Sequence, residues 1–244
     1  MSIFKEVLSG QNALITGAGS GNGREIALAL AGGGASVAVN DINIERAETV
    51  AEQIEARGGR AVALQADASN RFQAANMIEQ TRDAFGRIDV LVNAAEVFHP
   101  EPLLTIDEWN WRRQLEVNIT GAFFCLQLTA RVMADEGGGA IINMAAEEAL
   151  NSTIPSGIGY LAGKAGLIAM TRQAARELAP QGIRVNAIAT RQQSESEGRR
   201  RPSEASRATL NAFDGGMADI GSAALFLCSD AAHEITGEVL IVNQ

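Results

Sequence analysis

The 244-residue chain carries 20 Lys+Arg against 29 Asp+Glu, a formal charge of −9, with 46% hydrophobic and 20% charged residues. That balance suits a soluble globular protein with an ample core, and it argues against nucleic acid or an anionic membrane as the main partner. No uninterrupted apolar run approaches the ~18–20 residues of a spanning helix, the N-terminus lacks a signal peptide's order, and Cys125 and Cys228 make no disulfide framework, so a reducing cytoplasm is expected.

The first apolar run, 12–16, reads as a strand and leads directly into Thr16-Gly17-Ala18-Gly19-Ser20-Gly21-Asn22-Gly23, which opens a helix over 21–31. Glycines at that junction permit a tight turn and let backbone N–H groups approach a pyrophosphate at the helix N-terminus. Gly17, Ser20, Asn22 and Gly23 are therefore candidate cofactor-binding residues. A second strand, 35–40, ends at Asp41, 18 positions past Gly23. An acidic residue there is placed to accept hydrogen bonds from an adenosine ribose, favouring NAD over NADP. It can also cap the helix predicted over 44–57. The nearest basic residues for a 2′-phosphate are Arg24 and Arg46, both on helices.

Further strands are predicted at 61–65, 88–92, 140–144, 184–188 and 238–242, separated by helices at 71–85, 106–135, 157–178 and 217–228. The strands are β-branched and apolar on both faces, as parallel strands buried between helices are. Their alternation with helices predicts one α/β domain over 1–244, a doubly wound parallel sheet. The one compositional break, within 191–216, is polar and mixed in charge and reads as a mobile loop or an exposed helix. His99 and His233 have no ligand spacing with other His or Cys, so no metal site is expected.

The helix at 157–178 carries the single tyrosine, Tyr160, and one of only two lysines, Lys164. Positions i and i+4 share a helix face, so the ammonium can sit beside the phenol. An unperturbed tyrosine, with a pKa near ~10, is a poor base at neutral pH, and a neighbouring cation favours its phenolate. This pair joins the glycine loop, Asp67 after the third strand, Asn93-Ala94-Ala95 and Glu116-Val117-Asn118-Ile119-Thr120-Gly121. Gly182-Ile183-Arg184-Val185-Asn186-Ala187 and Ile235-Thr236-Gly237-Glu238-Val239 complete the set. Together they resemble the short-chain dehydrogenase/reductase family along essentially the whole chain. The resemblance implies a Rossmann-type sheet of about seven parallel strands, a bound dinucleotide and a dimer or tetramer. It implies that Tyr160 is the acid/base, that Lys164 lowers its pKa and also contacts the cofactor, and that Asn118 holds a relay water. It further implies that Asp67 lies against the adenine and that Asn93 belongs to the cofactor site.

Several positions depart from the family pattern. The serine that would hydrogen-bond the substrate oxygen is replaced by Ala146, and a shifted register offers only Ala145, Glu147 or Glu148. Loss of one such donor typically costs ~10²–10³ in rate, although Glu147 or Glu148 could supply acid/base function. Glu96 stands where the family has a glycine and is expected to turn outward or to weaken cofactor binding. Thr190-Arg191 replaces Pro-Gly, the polar 191–216 region replaces an apolar lid, and Arg199-Arg200-Arg201 reads as a solvated charge run. The adenosine end is thus largely retained and the nicotinamide end degraded.

Three functions fit this pattern. The chain is a non-catalytic partner of an active paralogue in a hetero-oligomeric NAD-dependent alcohol or hydroxyacyl-CoA dehydrogenase, an active dehydrogenase of such substrates, or a dinucleotide sensor. For the first, or for a homo-oligomer, the helices 106–135 and 157–178 supply the interface, with Trp109, Trp111, Phe123, Phe124 and Leu126 as candidate contacts.

Overall fold

The computed structural model describes residues 6–151, 154–191 and 220–242. Seven strands form one sheet: β1 (Asn12–Thr16), β2 (Ser36–Asp41), β3 (Arg60–Gln65), β4 (Val90–Asn93), β5 (Gly139–Ala146), β6 (Ile183–Thr190) and β7 (Val239–Val242). Their order is β3-β2-β1-β4-β5-β6-β7, and every neighbouring pair is parallel. The helices are α1 (Gly21–Gly32), α2 (Ile44–Glu55), α3 (Arg71–Phe85), α4 (Glu108–Leu115), α5 (Ala122–Glu136), α6 (Glu148–Asn151), α7 (Ile158–Leu178) and α8 (Ile220–Cys228). The strand order reverses direction between β1 and β4, and ligands of doubly wound sheets bind outside the carboxyl ends of the strands at that switch point.

Successive strand residues point to opposite faces, so each central strand feeds two cores. Ile15, Val37, Val39, Val92 and Ile142 pack with Ile26 and Leu30 of α1, Val50 and Ile54 of α2, and Leu225 of α8. Leu14, Leu91, Ile141 and Val185 pack on the other face with Met77 and Ile78 of α3 and Met133 of α5. This two-sided burial is why the strands read as continuous apolar runs.

Two expectations are revised. Asp41 does not cap α2; Asn43 does, accepting from Arg46 N–H at 3.3 Å. The single helix expected over 106–135 is interrupted by a π-helical segment, Glu116–Gly121, between α4 and α5. π-Bulges concentrate at functional sites, and this one contains Asn118. The whole run Glu108–Glu136 is long and apolar enough to cross a membrane by length and composition alone, more so than its lack of an uninterrupted apolar run implied. In the fold it packs against α3 and α7. Along it, Leu126 is core, Trp111 and Phe124 are half-buried, and Trp109 is 66% exposed with Phe123 also at the surface. The start of the helix predicted at 217 and all of the 191–216 region beyond Arg191 lie outside the described residues.

A buried polar chain fixes the elements that carry the site. Asn93 at the end of β4 donates to Asn143 Oδ1 of β5 (2.9 Å), and Asn143 donates to Thr171 Oγ1 of α7 (2.9 Å). Buried amides in a sheet are stable only when partnered, and these partners hold α7 at a set height over β4 and β5.

Candidate functional site

At the switch point, Thr16 Oγ1 accepts from the N–H groups of Ala94 (3.1 Å) and Ala95 (3.2 Å), drawing the exit of β4 against the loop after β1. Gly17 has φ +63°, and a Cβ there would lie 2.6 Å from Ala95 Cα. A Cβ on Gly23 would run into the Gly17 carbonyl. Both positions therefore demand glycine for shape. Ser20 is exposed at the N-cap of α1 and makes no side-chain cap bond. Asn22 donates to Thr190 Oγ1 at 3.3 Å, tying α1 to the end of β6.

Asp41 is buried at the end of β2, where Oδ2 accepts from Gly19 N–H (3.1 Å) and Oδ1 from Asn43 N–H (2.9 Å). Asp67 accepts from the N–H (2.9 Å) and hydroxyl (2.6 Å) of Ser69 through Oδ1 and pairs with Arg113 at 3.3 Å through Oδ2. Burial raises the Asp67 carboxyl, but the Ser69 bonds and the Arg113 guanidinium outweigh it and hold the group below the ordinary carboxylate value. Gly17, Ser20, Asp41, Arg46, Asp67 and Arg113 line a cleft of about 340 Å³. Asn93 is not among its lining residues, being held in the sheet.

The other end is organised differently. Tyr160 and Lys164 lie on the buried face of α7, with Lys164 Nζ 5.4 Å from the centroid of the Tyr160 ring. Glu96, expected to turn outward, turns onto this pair. Its Oε2 accepts from Tyr160 OH at 3.2 Å and lies 2.8 Å from Lys164 Nζ, which also donates to Met144 O at 2.7 Å. The Lys164 side chain is 1% exposed and that of Glu96 38% exposed, so the carboxylate reaches inward from the mouth of the site. Burial raises the Glu96 carboxyl, but the ammonium and the two hydrogen bonds outweigh it, and the group is held ionised. Burial, followed by the Glu96 carboxylate and more weakly by Glu148, pushes the Tyr160 phenol far above its ordinary value. The lysine thus pairs with a neighbouring carboxylate, and the phenol beside them is raised rather than lowered.

Ala146, fully buried, ends β5 opposite Thr190. Glu147 lies 3.5 Å from Arg191 Nε, an ion pair across the ends of β5 and β6. The side-chain amide of Asn118 clamps Val97, accepting from its N–H (3.1 Å) and donating to its carbonyl (2.7 Å). Phe98 packs on Tyr160 with ring centroids 5.1 Å apart. Among the described residues no group of three His, Cys, Asp or Glu side chains is disposed to hold a metal ion. Sequence reading missed Arg113 and the Val97 clamp, whose partners are distant in the chain and carry no local signature.

The residues fit the adenosine half of a dinucleotide: a glycine loop at a helix N-terminus and two carboxylates flanking one cleft. They do not fit the nicotinamide half, because Glu96 already holds both Lys164 and Tyr160. The family model described as Enoyl-(Acyl carrier protein) reductase matches residues 17–244. The chain is 37% identical over 239 residues to the 3-oxoacyl-[acyl-carrier-protein] reductase FabG of Staphylococcus aureus, covering 96% of each. It is 36% identical over 234 residues to (2S)-[(R)-hydroxy(phenyl)methyl]succinyl-CoA dehydrogenase subunit BbsD of Thauera aromatica, covering 94% of each. A solved 7α-hydroxysteroid dehydrogenase, complexed with NADH and 7-oxo glycochenodeoxycholic acid, superposes with a TM-score of 0.84 at 32% identity, covering 99% of this chain and 96% of that one.

Proposed function

The chain belongs to the short-chain dehydrogenase/reductase family, and from that premise we propose that it is a catalytically impaired subunit of a cytoplasmic NAD-dependent alcohol or hydroxyacyl-CoA dehydrogenase. Its role is to support an active paralogue in a hetero-oligomer, with neither nucleic acid nor membrane as a partner. The observation that carries this reading is the Glu96 carboxylate bonded to both Tyr160 OH and Lys164 Nζ. A general base must be within reach of its proton and have a pKa near the working pH. A phenol that donates to a carboxylate and is raised far above its ordinary value falls short of the second demand. Ala146 adds the loss of a hydroxyl donor, a change worth ~10²–10³ in rate where such donors have been removed.

Exposed apolar side chains support the partner role. Trp109 and Phe123 are exposed on α4 and α5, and Trp111 and Leu115 help line a shallow groove on the outer face of α4 and the π segment. The Thauera aromatica relative is itself named as a dehydrogenase subunit. NAD is preferred over NADP on the strength of Asp41, although Arg46 borders the same cleft.

The decisive experiment is mass analysis of the native complex from the source cell. A paralogue with intact Ser, Tyr and Lys in that complex supports the reading. Recovery of homo-oligomers alone overturns it, as does turnover by the purified chain at an ordinary ~10 s⁻¹ that Tyr160→Phe abolishes. That last outcome would establish the second reading, an active dehydrogenase, which the shared helix face of Tyr160 and Lys164 favours.

A further inference from the structure

The cleft after β1 and β4 has a boundary. Its walls run from Gly17 and Ser20 past Asp41, Arg46 and Asp67, and they reach Glu96 and Val97 without including Tyr160 or Lys164. At that boundary stands a fixed anion whose Oε2 serves two buried donors at once. A sugar hydroxyl approaching Lys164 or Tyr160 meets this carboxylate, which already takes the phenol proton and one of the three ammonium donors, Met144 O taking a second. Displacing it strips the 1%-exposed ammonium of its counter-ion and leaves it Met144 O and the ligand, and an unpaired buried charge is strongly unfavourable. The adenosine side imposes no such exchange, because Ser20 makes no cap bond and the carboxylates of Asp41 and Asp67 border open cleft.

We infer that Glu96 sets the ligand class of this site: it admits an adenine mononucleotide with its 5′-phosphates and turns away the nicotinamide half of a dinucleotide. The inference rests on the reading of an impaired subunit and assigns that subunit a nucleotide preference of its own. Glu96 is here a specificity-determining residue, acting through Lys164 and Tyr160.

Calorimetric titration of the purified full chain with ADP, NAD⁺ and NADH tests it. The wild-type protein should bind ADP and either dinucleotide with affinities within about threefold of one another. In Glu96→Gly the dinucleotides should tighten by about tenfold or more while ADP stays unchanged. Glu96→Gln, which removes the charge but keeps the size, serves as a second variant should the glycine form fail to fold, and it should show the same trend more weakly. Wild-type protein binding NAD⁺ or NADH tenfold tighter than ADP would overturn the inference. So would absence of ADP binding, or an unchanged ADP-to-dinucleotide ratio in folded Glu96 variants. Native mass analysis decides the subunit reading separately, since the affinity ratio does not depend on which partner is present.

Discussion

The two ends of the cleft are built by different means. At the adenosine end the contacts come from backbone: a glycine loop seated on Ala94 and Ala95, a helix N-terminus, and strand ends that place Asp41 and Asp67. At the other end they come from single side chains on α7 and on the segment after β4, with one carbonyl of β5 beneath them. Backbone geometry is coupled to the core and is lost only with the fold. A side-chain constellation can be rewired by one residue, and Glu96 does so without disturbing the strands or helices around it.

The most damaging test of this contrast strikes the backbone end. Gly17→Ala places a Cβ 2.6 Å from Ala95 Cα at a φ of +63°. Overpacking and left-handed strain together predict a loss of about 2–5 kcal/mol of stability, together with loss of nucleotide binding. Denaturant midpoints and calorimetry read the two effects; an unaltered midpoint would mean that the loop yields freely and that the contrast is overstated.

A second test exploits alkali. Burial raises the thiols of Cys125 and Cys228 to about 12 and lifts the Tyr160 phenol well above its usual value. All three groups keep their protons longer in the folded state than in the unfolded chain. Stability from this source is therefore complete below the unfolded values, ~8.5 for cysteine and ~10 for tyrosine, and declines above them by about 1.4 kcal/mol per pH unit for each group. Tyr160→Phe should flatten only the part above ~10. Because Tyr160 is the sole tyrosine, near-ultraviolet difference absorbance follows one phenol. In wild-type protein its phenolate should appear only on unfolding, and Glu96→Gln should bring it to lower pH. A phenolate titrating at the ordinary tyrosine value in folded wild-type protein would contradict the Glu96 contact.

The smallest effect is expected at Asp67. Its ion pair with Arg113 is partly exposed on both sides, so Arg113→Ala should cost no more than ~1 kcal/mol. Thermal melts at low and high salt would register a small, screened loss.

Much of the frame was legible in the chain because it depends on local pattern. Runs apolar on both faces gave the seven strands, and the segment after Thr16 announced its turn through glycine spacing. Strand limits moved where pairing partners set them; β5 continues to Ala146 because β6 continues beside it to Thr190. The π segment left no trace, since one extra residue in a helical turn disturbs hydropathy periodicity too little to notice. Glu96 was legible as an oddity but not as a contact. Its direction is fixed by Tyr160, 64 residues away in the chain, and by Lys164, neither of which any window around Glu96 includes.

The chain Asn93–Asn143–Thr171 keeps α7 in place whatever happens at the mouth of the site. In genetic terms this makes two of the departures from the family pattern shallow. Glutamate and glycine codons can differ by a single base, as can those of alanine and serine. Reversal at Glu96 and at Ala146 therefore takes as few as one base change each, on a frame held by bonds that neither residue makes.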